Sequence, residues 1–382
     1  MRPNALRRGL AAASIVALAA CSPPQTNFSQ RAGFDRYFTA NPPRREAPSE
    51  EERALLARHA PRFMLPPGHP GLIGFYEDYI AHGRLLDGEG RLIARDPDRT
   101  QLNAVRDRPR VEFVHEPLQG PATPTVLGRV ERRAGPEPDG APWTYLTYSA
   151  VFRVSGLPSA MASWEELALG LIADLDDWHQ LDHYTAATIA FDQTMRPVAL
   201  TLQQHNGHRT HLFGRDLPWP DDGRPVLDVA IRSNELYIHR DGRVLRRAIP
   251  MPNPETMRYL VTGRGKPWLS ADDVTEAQTE ARFRLDALSH DDAFYGFKGF
   301  LGERRRLQGR SGPPGAEYNI WPSAKGKTTE MLVGYWHEDD EGTLQAIDEA
   351  ARSDDFPLHF AKLRRERFLR DLDCVRRVMP RC

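Results

Sequence analysis

Cysteine is nearly absent from this 382-residue chain, which holds only Cys21, Cys374 and Cys382. No Cys-x-x-Cys pair exists, so a thiolate zinc site or a dithiol redox motif is excluded, and cysteines so terminal make a poor thiol nucleophile. Excess charge is absent as well: 51 Lys and Arg balance 52 Asp and Glu, for a net charge of −1. Nucleic-acid binding therefore has no electrostatic footprint. Beyond the first twenty residues no apolar run approaches the roughly 20 residues that span a bilayer. There is no phosphate loop, no His-Glu-x-x-His, no Gly-x-Ser-x-Gly elbow and no Gly-x-Gly-x-x-Gly opening a helix. These gaps weigh against common hydrolases, nucleotide-binding proteins and dehydrogenases, but leave enzymes in general open.

What is present begins at the N-terminus. Met1-Arg-Pro-Asn-Ala-Leu-Arg-Arg8 is a basic segment, and Leu10 to Ala20 is a short run of apolar and small residues. A basic start, a short apolar core and a small-residue end make an export signal. Leu18-Ala-Ala-Cys21 resembles a bacterial lipobox, which implies cleavage before Cys21 and lipidation of that cysteine. Several acyl chains anchor stably where one is marginal. Ser22, in place of Asp, resembles an outer-membrane sorting signal, so the expected location is the cell envelope, on an outer-membrane lipoprotein facing the periplasm or the cell surface. In an oxidising compartment Cys374 and Cys382 are expected to pair as a disulfide.

The body of the chain is rich in breakers, with 32 prolines and 29 glycines, which suits a loop-rich β protein. Residues 1–20 read as the signal and 21–48 as a polar, Pro-rich tether. Residues 49–335 read as a β-sandwich-like domain, and 336–382 as a charged, amphipathic helical segment. The fold class is mainly β: a β-sandwich core with peripheral helices, α+β overall, and a helical C-terminus. Ser49 caps a short helix ending before Pro61. Strands are expected at 111–114, 125–127, 142–154, 198–205, 225–231 and 235–239, and on both sides of a turn within 83–93. Ser163-Trp-Glu-Glu166 fits a capping box before a helix, and 270–280 has helical character. Residues 206–211 are expected to be a polar loop.

The chemistry gathers in Asp174-Leu-Asp-Asp-Trp-His-Gln-Leu-Asp-His-Tyr184. Five of the 13 histidines, His179, His183, His205, His208 and His211, fall between positions 179 and 211. The stretch reads as the start of a strand. A period of two places Leu181, Thr185, Ala187, Ile189 and Phe191 on the core side, together with Asp177, His179 and His183, and Asp182 on the other side. The strand at 198–205 is expected to bring Gln203 to His205 back beside 179–184. Asp177, His179 and His205 are then candidate metal ligands. His183 is a weaker one, because it lies about 13 Å along the strand from His179. Imidazole with carboxylate suits zinc, manganese or iron better than calcium. The competing reading is a hydrogen-bonded polar cluster at a sheet edge.

Several separated segments share an order with a known family. Asp177-Trp-His179 resembles the Asp-Trp-Glu of the necrosis-inducing-like proteins and of the vacuolar protein sorting-associated protein 62 family. Gln204-His205 resembles the Gln-His of their next strand, and Arg232-Ser-Asn-Glu-Leu-Tyr237 stands where they have Gly-Ser-His-Ala-x-Tyr. His59-Ala-Pro61, Phe75-Tyr-Glu-Asp-Tyr79, Phe297-Lys-Gly-Phe-Leu-Gly302 and Gly312-Pro-Pro-Gly315 resemble further segments. Together these cover most of residues 59–320. The resemblance implies a β-sandwich with an acidic, His-containing rim that binds a divalent metal, and it adds Gln204, Asn234 and Tyr237 as candidate site residues. The departures fall on that rim: His179 replaces the metal-facing Glu, Asn234 the His and Arg232 the Gly. The implied site is re-tuned towards nitrogen or lost.

Two functions follow as expectations. One is a lipid-anchored binding or structural protein, joined to the membrane through its N-terminal lipid, with a protein, glycan or lipid partner that the residues do not name. The other is a metal-dependent hydrolase with Asp177, His179 and His205 as ligands and Asp182 or His183 as base. A third reading is a cytolysin-like lipid binder.

Overall fold

The computed structural model describes residues 44–116, 120–153, 181–204, 207–231, 233–239, 278–304, 312–319 and 356–377. The first helix, α1 (Glu50–His59), starts where the sequence places it. Ser49 accepts from Glu52 N–H while the Glu52 carboxylate accepts from Ser49 N–H, a reciprocal cap. Burial works to raise the Glu52 carboxyl, but its hydrogen bonds from Arg44, Ser49 and Arg132 outweigh that and hold it at about 2. This helix and its flanks are therefore fastened to the sheet through Arg132, a strand residue.

The strands follow in order: β1 (Arg62–Leu65), β2 (Gly83–Leu86), β3 (Leu92–Arg95), β4 (Glu112–His115), β5 (Thr125–Ala134), β6 (Pro142–Phe152), β7 (Asp182–Phe191), β8 (Pro197–Gln204), β9 (Gly207–Leu212), β10 (Val226–Val229), β11 (Leu236–Ile238), β12 (Thr279–Glu280) and β13 (Arg284–Ala287). They form a six-stranded sheet in the order β13-β5-β6-β7-β8-β9, a four-stranded sheet β11-β10-β1-β12 and a three-stranded sheet β3-β2-β4. A π-helical turn (Phe75–Ile80), α2 (Arg99–Val105), α3 (Ala293–Gly296), a 3-10 turn (Ala316–Asn319) and α4 (Phe356–Arg376) complete the described elements. The mainly β expectation with a helical C-terminal segment holds.

Alternation along the central strands builds a two-layer core. Val130 on β5, Leu146 and Tyr148 on β6, Ile189 and Phe191 on β7, and Leu200 and Leu202 on β8 share one face of the six-stranded sheet. They meet Phe63, Leu227, Val229 and Leu236 of the four-stranded sheet. Burying each such side chain is worth about 1.5–3 kcal/mol, so this sandwich supplies most of the driving force. Gly128 lets α1 approach: a Cβ there would stand 3.2 Å from the Leu56 side chain.

The other face of the same sheet is shared. One end packs against the π-helical turn, α2, α3 and the three-stranded sheet through Leu127, Val151 and Leu181. The other end receives α4, whose Phe368 and Leu372 cover Trp143, Tyr145, Ala199 and Leu212. Arg376 latches α4 to Glu137 and Asp192, each at 3.0 Å. Between the two patches runs a buried polar row, with Thr147 and Thr188 hydroxyls 3.0 Å apart and Thr201 and Thr210 hydroxyls 2.7 Å apart.

Three expectations change. Residues 207–212 form β9 rather than a loop, paired along β8 from Ala199↔Leu212 to Gln204↔Gly207. The register pairs Gln204 with Gly207, so the polar residues after position 206 are drawn into a ladder with β8 rather than left in a loop. Thr279 and Glu280, at the end of the expected 270–280 helix, form β12 against Met64 and Leu65. Residues 270–277, and the helix expected after Ser163, lie outside the described residues. The third change concerns β7 and bears on the site.

Candidate functional site

A bulge at the start of β7 reorganises the Asp/His stretch. β6 and β7 pair regularly from Thr144↔Phe191 to Ala150↔Thr185, and then Asp182 pairs with Phe152. Two residues on β7, His183 and Tyr184, thus oppose the single Val151. An extra residue in a strand reverses the side of everything beyond it. Asp182 therefore joins the face of Thr185, Ala187 and Ile189, while Leu181 joins the second cluster. The period-of-two assignment, with Leu181 and His183 on the core face and Asp182 opposite, is inverted for this reason. β7 is also buried along its whole length rather than on one face.

Asp182 sits at the centre of the rim that results. One carboxylate oxygen accepts from Tyr184 N–H at 3.3 Å and from the Thr185 hydroxyl at 3.4 Å. The other accepts from the Asn234 side-chain amide at 2.7 Å. The Asn234 carbonyl oxygen in turn accepts from His69 Nε2 at 3.1 Å. His69 Nδ1 accepts from Gly71 N–H at 2.9 Å, which fixes the tautomer: Nε2 carries the proton. Burial lowers the His69 pKa, against the opposing pull of the Asn234 hydrogen bond and the Asp182 charge. The result is a chain of hydrogen bonds, His69–Asn234–Asp182, crossing from the loop after β1 to the turn before β11 and on to β7.

Local backbone chemistry sets each member. Pro66-Pro67-Gly68-His69 closes with His69 N–H donating to Pro66 O, and Gly68 has φ +82°. Proline second and a positive-φ glycine third are the residues a type II turn demands. Asn234 has φ +57°, one of three non-glycine residues with positive φ among those described. Asparagine tolerates that region far better than most residues. The His69 ring rests edge-on against Phe152, with centroids 5.4 Å apart.

The other candidates scatter. His183 is fully buried on the opposite face, its Nε2 2.8 Å from Pro314 O and its ring stacked on Tyr184 at 4.4 Å. It does not converge with Asp182. The Tyr237 hydroxyl donates to Glu235 at 2.5 Å. Beyond it His239 Nδ1 meets Asp228 at 2.7 Å, a pair on β11's exit and β10. Gln204 ends β8, and β7–β8 pairing aligns Ala187 with Leu202. Continued two residues, that register sets Gln204 opposite Thr185, so the described part of the return strand stops one residue short of the expected 179–184 window. Asp177, His179, His205, Cys21 and Cys382 lie outside the described residues. Cys374 is disulfide-bonded, and its partner also lies outside them.

Among the described residues no three His, Cys, Asp or Glu side chains are grouped to hold a metal. In the described half of the rim Asn234 turns its amide N–H towards Asp182 and its carbonyl oxygen towards His69. Asn234 can do this because it carries both a donor and an acceptor, whereas a neutral imidazole presents one of each in fixed opposition. His69 was the residue sequence reasoning missed. Its only signal is the Pro-Gly-His-Pro-Gly run at 67–71, whose turn chemistry points it inward.

No protein-family model matches this chain, and no curated protein matches it. Among solved structures, a crystal structure of an NLPPya mutant aligns with 13% identity over 52% of this chain and 70% of that one, at a TM-score of 0.26. That likeness is too slight to carry either fold or function across. No helix among the described residues is long and apolar enough to cross a membrane.

Proposed function

We propose that this chain is a lipid-anchored protein of the bacterial envelope, whose β-rich domain binds or scaffolds rather than catalyses. The observation that carries this reading is Leu18-Ala-Ala-Cys21 behind a basic segment and a short apolar core, followed by a Pro-rich tether. The rim chemistry is consistent with it. Both His69 nitrogens are engaged, one as donor and one as acceptor, so His69 is not poised as a general base. Fractionation of cells tests the anchor. The wild-type chain is expected in the detergent-soluble membrane fraction and Cys21→Ser in the soluble fraction; a membrane-bound Cys21→Ser protein would end this reading.

A second reading keeps the family-like metal rim. The β8–β9 hairpin closes between Gln204 and Gly207, beside the strand that leads back to Asp182. In this reading Asp177, His179 and His205 hold a divalent zinc, manganese or iron ion, and the bound ion would polarise a substrate carbonyl or a water. Gln204 and Tyr237 would be accessory. Elemental analysis of protein purified without chelator decides it: stoichiometric transition metal supports the hydrolase, and its absence together with a chelator-insensitive Tm removes it.

A further inference from the structure

The face of the six-stranded sheet away from the main core contains polar side chains whose hydrogen-bonding capacity the fold leaves unfilled. Arg129, Glu131 and Arg133 alternate along β5 and stand opposite Thr147, Tyr145 and Trp143 of β6. Arg129 donates to Glu317 at 2.7 Å, and its guanidinium lies over the Tyr295 ring, 4.4 Å from the centroid. Glu131 takes Arg133 at 2.6 Å and approaches His290 Nδ1 at 3.3 Å through the same oxygen. Yet Arg129 Nε, Glu131 Oε2, Trp143 Nε1, Tyr145 OH and Tyr295 OH are all buried without a hydrogen-bond partner. Folded proteins satisfy nearly all such atoms, and those left over call for a bound group. Arg129 Nη2 and Glu131 Oε2 are 3.7 Å apart, too far for a direct hydrogen bond.

We propose that Arg129, Glu131, Tyr145 and Tyr295 form an enclosed binding site for a small neutral polyol, one hydroxyl of which bridges Arg129 to Glu131. The site selects against ions because Glu317 and Arg133 already balance its charges. What remains is a demand for hydrogen bonds in both directions: Arg129 Nε offers a proton, Glu131 Oε2 accepts one, and the phenols do either. A hydroxyl group accepts and donates at once. A single buried water makes about three hydrogen bonds, and at most four. The four unfilled atoms of the site, two of them phenol hydroxyls that can each donate and accept, ask for more than the roughly three hydrogen bonds of one such water. Arg133 and His290, which contact Glu131, are the partly exposed edge of this cluster, with side chains 25% and 13% exposed. The site lies on the opposite face from the rim and does not depend on the lipid anchor.

Glycerol and glucose, each titrated in the millimolar range against the detergent-solubilised full chain, test this by thermal shift. Solutes excluded from the surface raise stability without saturating, so saturation is the readout that matters. The wild-type chain is expected to show a saturable rise in Tm with at least one of the two. Tyr145→Phe and Tyr295→Phe, which keep the ring and remove only the hydroxyl, are expected to raise the half-saturating concentration about tenfold, with an unchanged circular dichroism spectrum. A non-saturating shift, equal in all three proteins, would overturn the proposal. So would phenylalanine variants more stable than the wild type and equally responsive, because the hydroxyls would then be mere unsatisfied burial. If either variant fails to fold, the wild-type titration alone decides.

Discussion

Two buried polar clusters lie on opposite faces of one sheet, and they differ in how their bonding is completed. At the rim, His69, Asn234 and Asp182 pass hydrogen bonds from donor to acceptor, and the geometry of each member fixes the next. On the far face, Arg129 and Glu131 have balanced charges but unfilled hydrogen-bonding atoms. Completed networks rigidify, whereas incomplete ones are costly unless something else completes them. The first cluster therefore reads as a clamp joining three chain segments, and the second as a site. The rim joins two loops to β7, and the far face joins two paired strands to α3 and, through Glu317, to the 3-10 turn.

The largest expected effect tests the far face as an ion network. Arg129→Leu leaves Glu317 and Glu131 buried without their shared cation, and removing one partner of a buried pair typically costs about 3–5 kcal/mol. Urea unfolding should show that loss, and Arg129→Leu with Glu317→Leu should recover a large part of it, because the two residues are directly coupled. A single variant costing under about 1 kcal/mol would mean that the charges are solvated and the contrast with the rim is false.

An intermediate effect is expected at the rim. His69→Ala strands the Asn234 carbonyl and the Gly71 N–H, at a cost of about 1–3 kcal/mol. The pH dependence carries the sign. Burial holds His69 below the ordinary histidine value of about 6.5, so the unfolded chain binds a proton more readily than the folded one. The His69 contribution is complete above that value and is lost as pH falls through the lower, folded one. His59 and His115 are also lowered, first by burial, so the wild-type curve alone cannot assign the slope. The difference between wild type and His69→Ala can: it should shrink as the solution is acidified from pH 7. A difference independent of pH would show that His69 acts by packing on Phe152 and not by its proton.

Much of the fold was legible because alternation and breakers are local signals. The α1 cap, the β2–β3 turn, β6 and the α4 segment follow from residues within a few positions of one another. The site was less legible for reasons visible in particular residues. A period of two cannot foresee the extra residue at His183–Tyr184, because the bulge is defined only by the partner strand, where Val151 stands alone. That one residue moved Asp182 to the main core face and sent Leu181 away from it. The polarity of residues 207–211 hid β9, because its strand character comes from pairing with β8. His69 is 113 positions from Asp182, and nothing short of the tertiary fold pairs them. Arg129, Glu131, Tyr145 and Tyr295 carried no motif at all. A buried charge on a strand that otherwise alternates with apolar residues is the trace they leave.

The smallest effect separates two ways of holding Asp182. Its carboxylate is reached from within β7 by Tyr184 N–H and the Thr185 hydroxyl, and from across the rim by Asn234. Thr185 is fully buried, and its hydrogen bond, at 3.4 Å, is long for two oxygens. Thr185→Val conserves shape and should cost no more than about 1 kcal/mol, less than the roughly 1.5–3 kcal/mol usual for a hydrogen bond to a charged acceptor, because the contact is long. Its effect should also be independent of His69: the double variant with His69→Ala should equal the sum of the singles, measured by urea midpoints at constant slope. Additivity would place the clamp along His69–Asn234–Asp182, with β7 merely receiving it. A Thr185→Val loss above about 2 kcal/mol, or strong coupling to His69, would instead make the bulged strand the element that holds the carboxylate, with Asn234 and His69 arranged around an Asp182 already fixed.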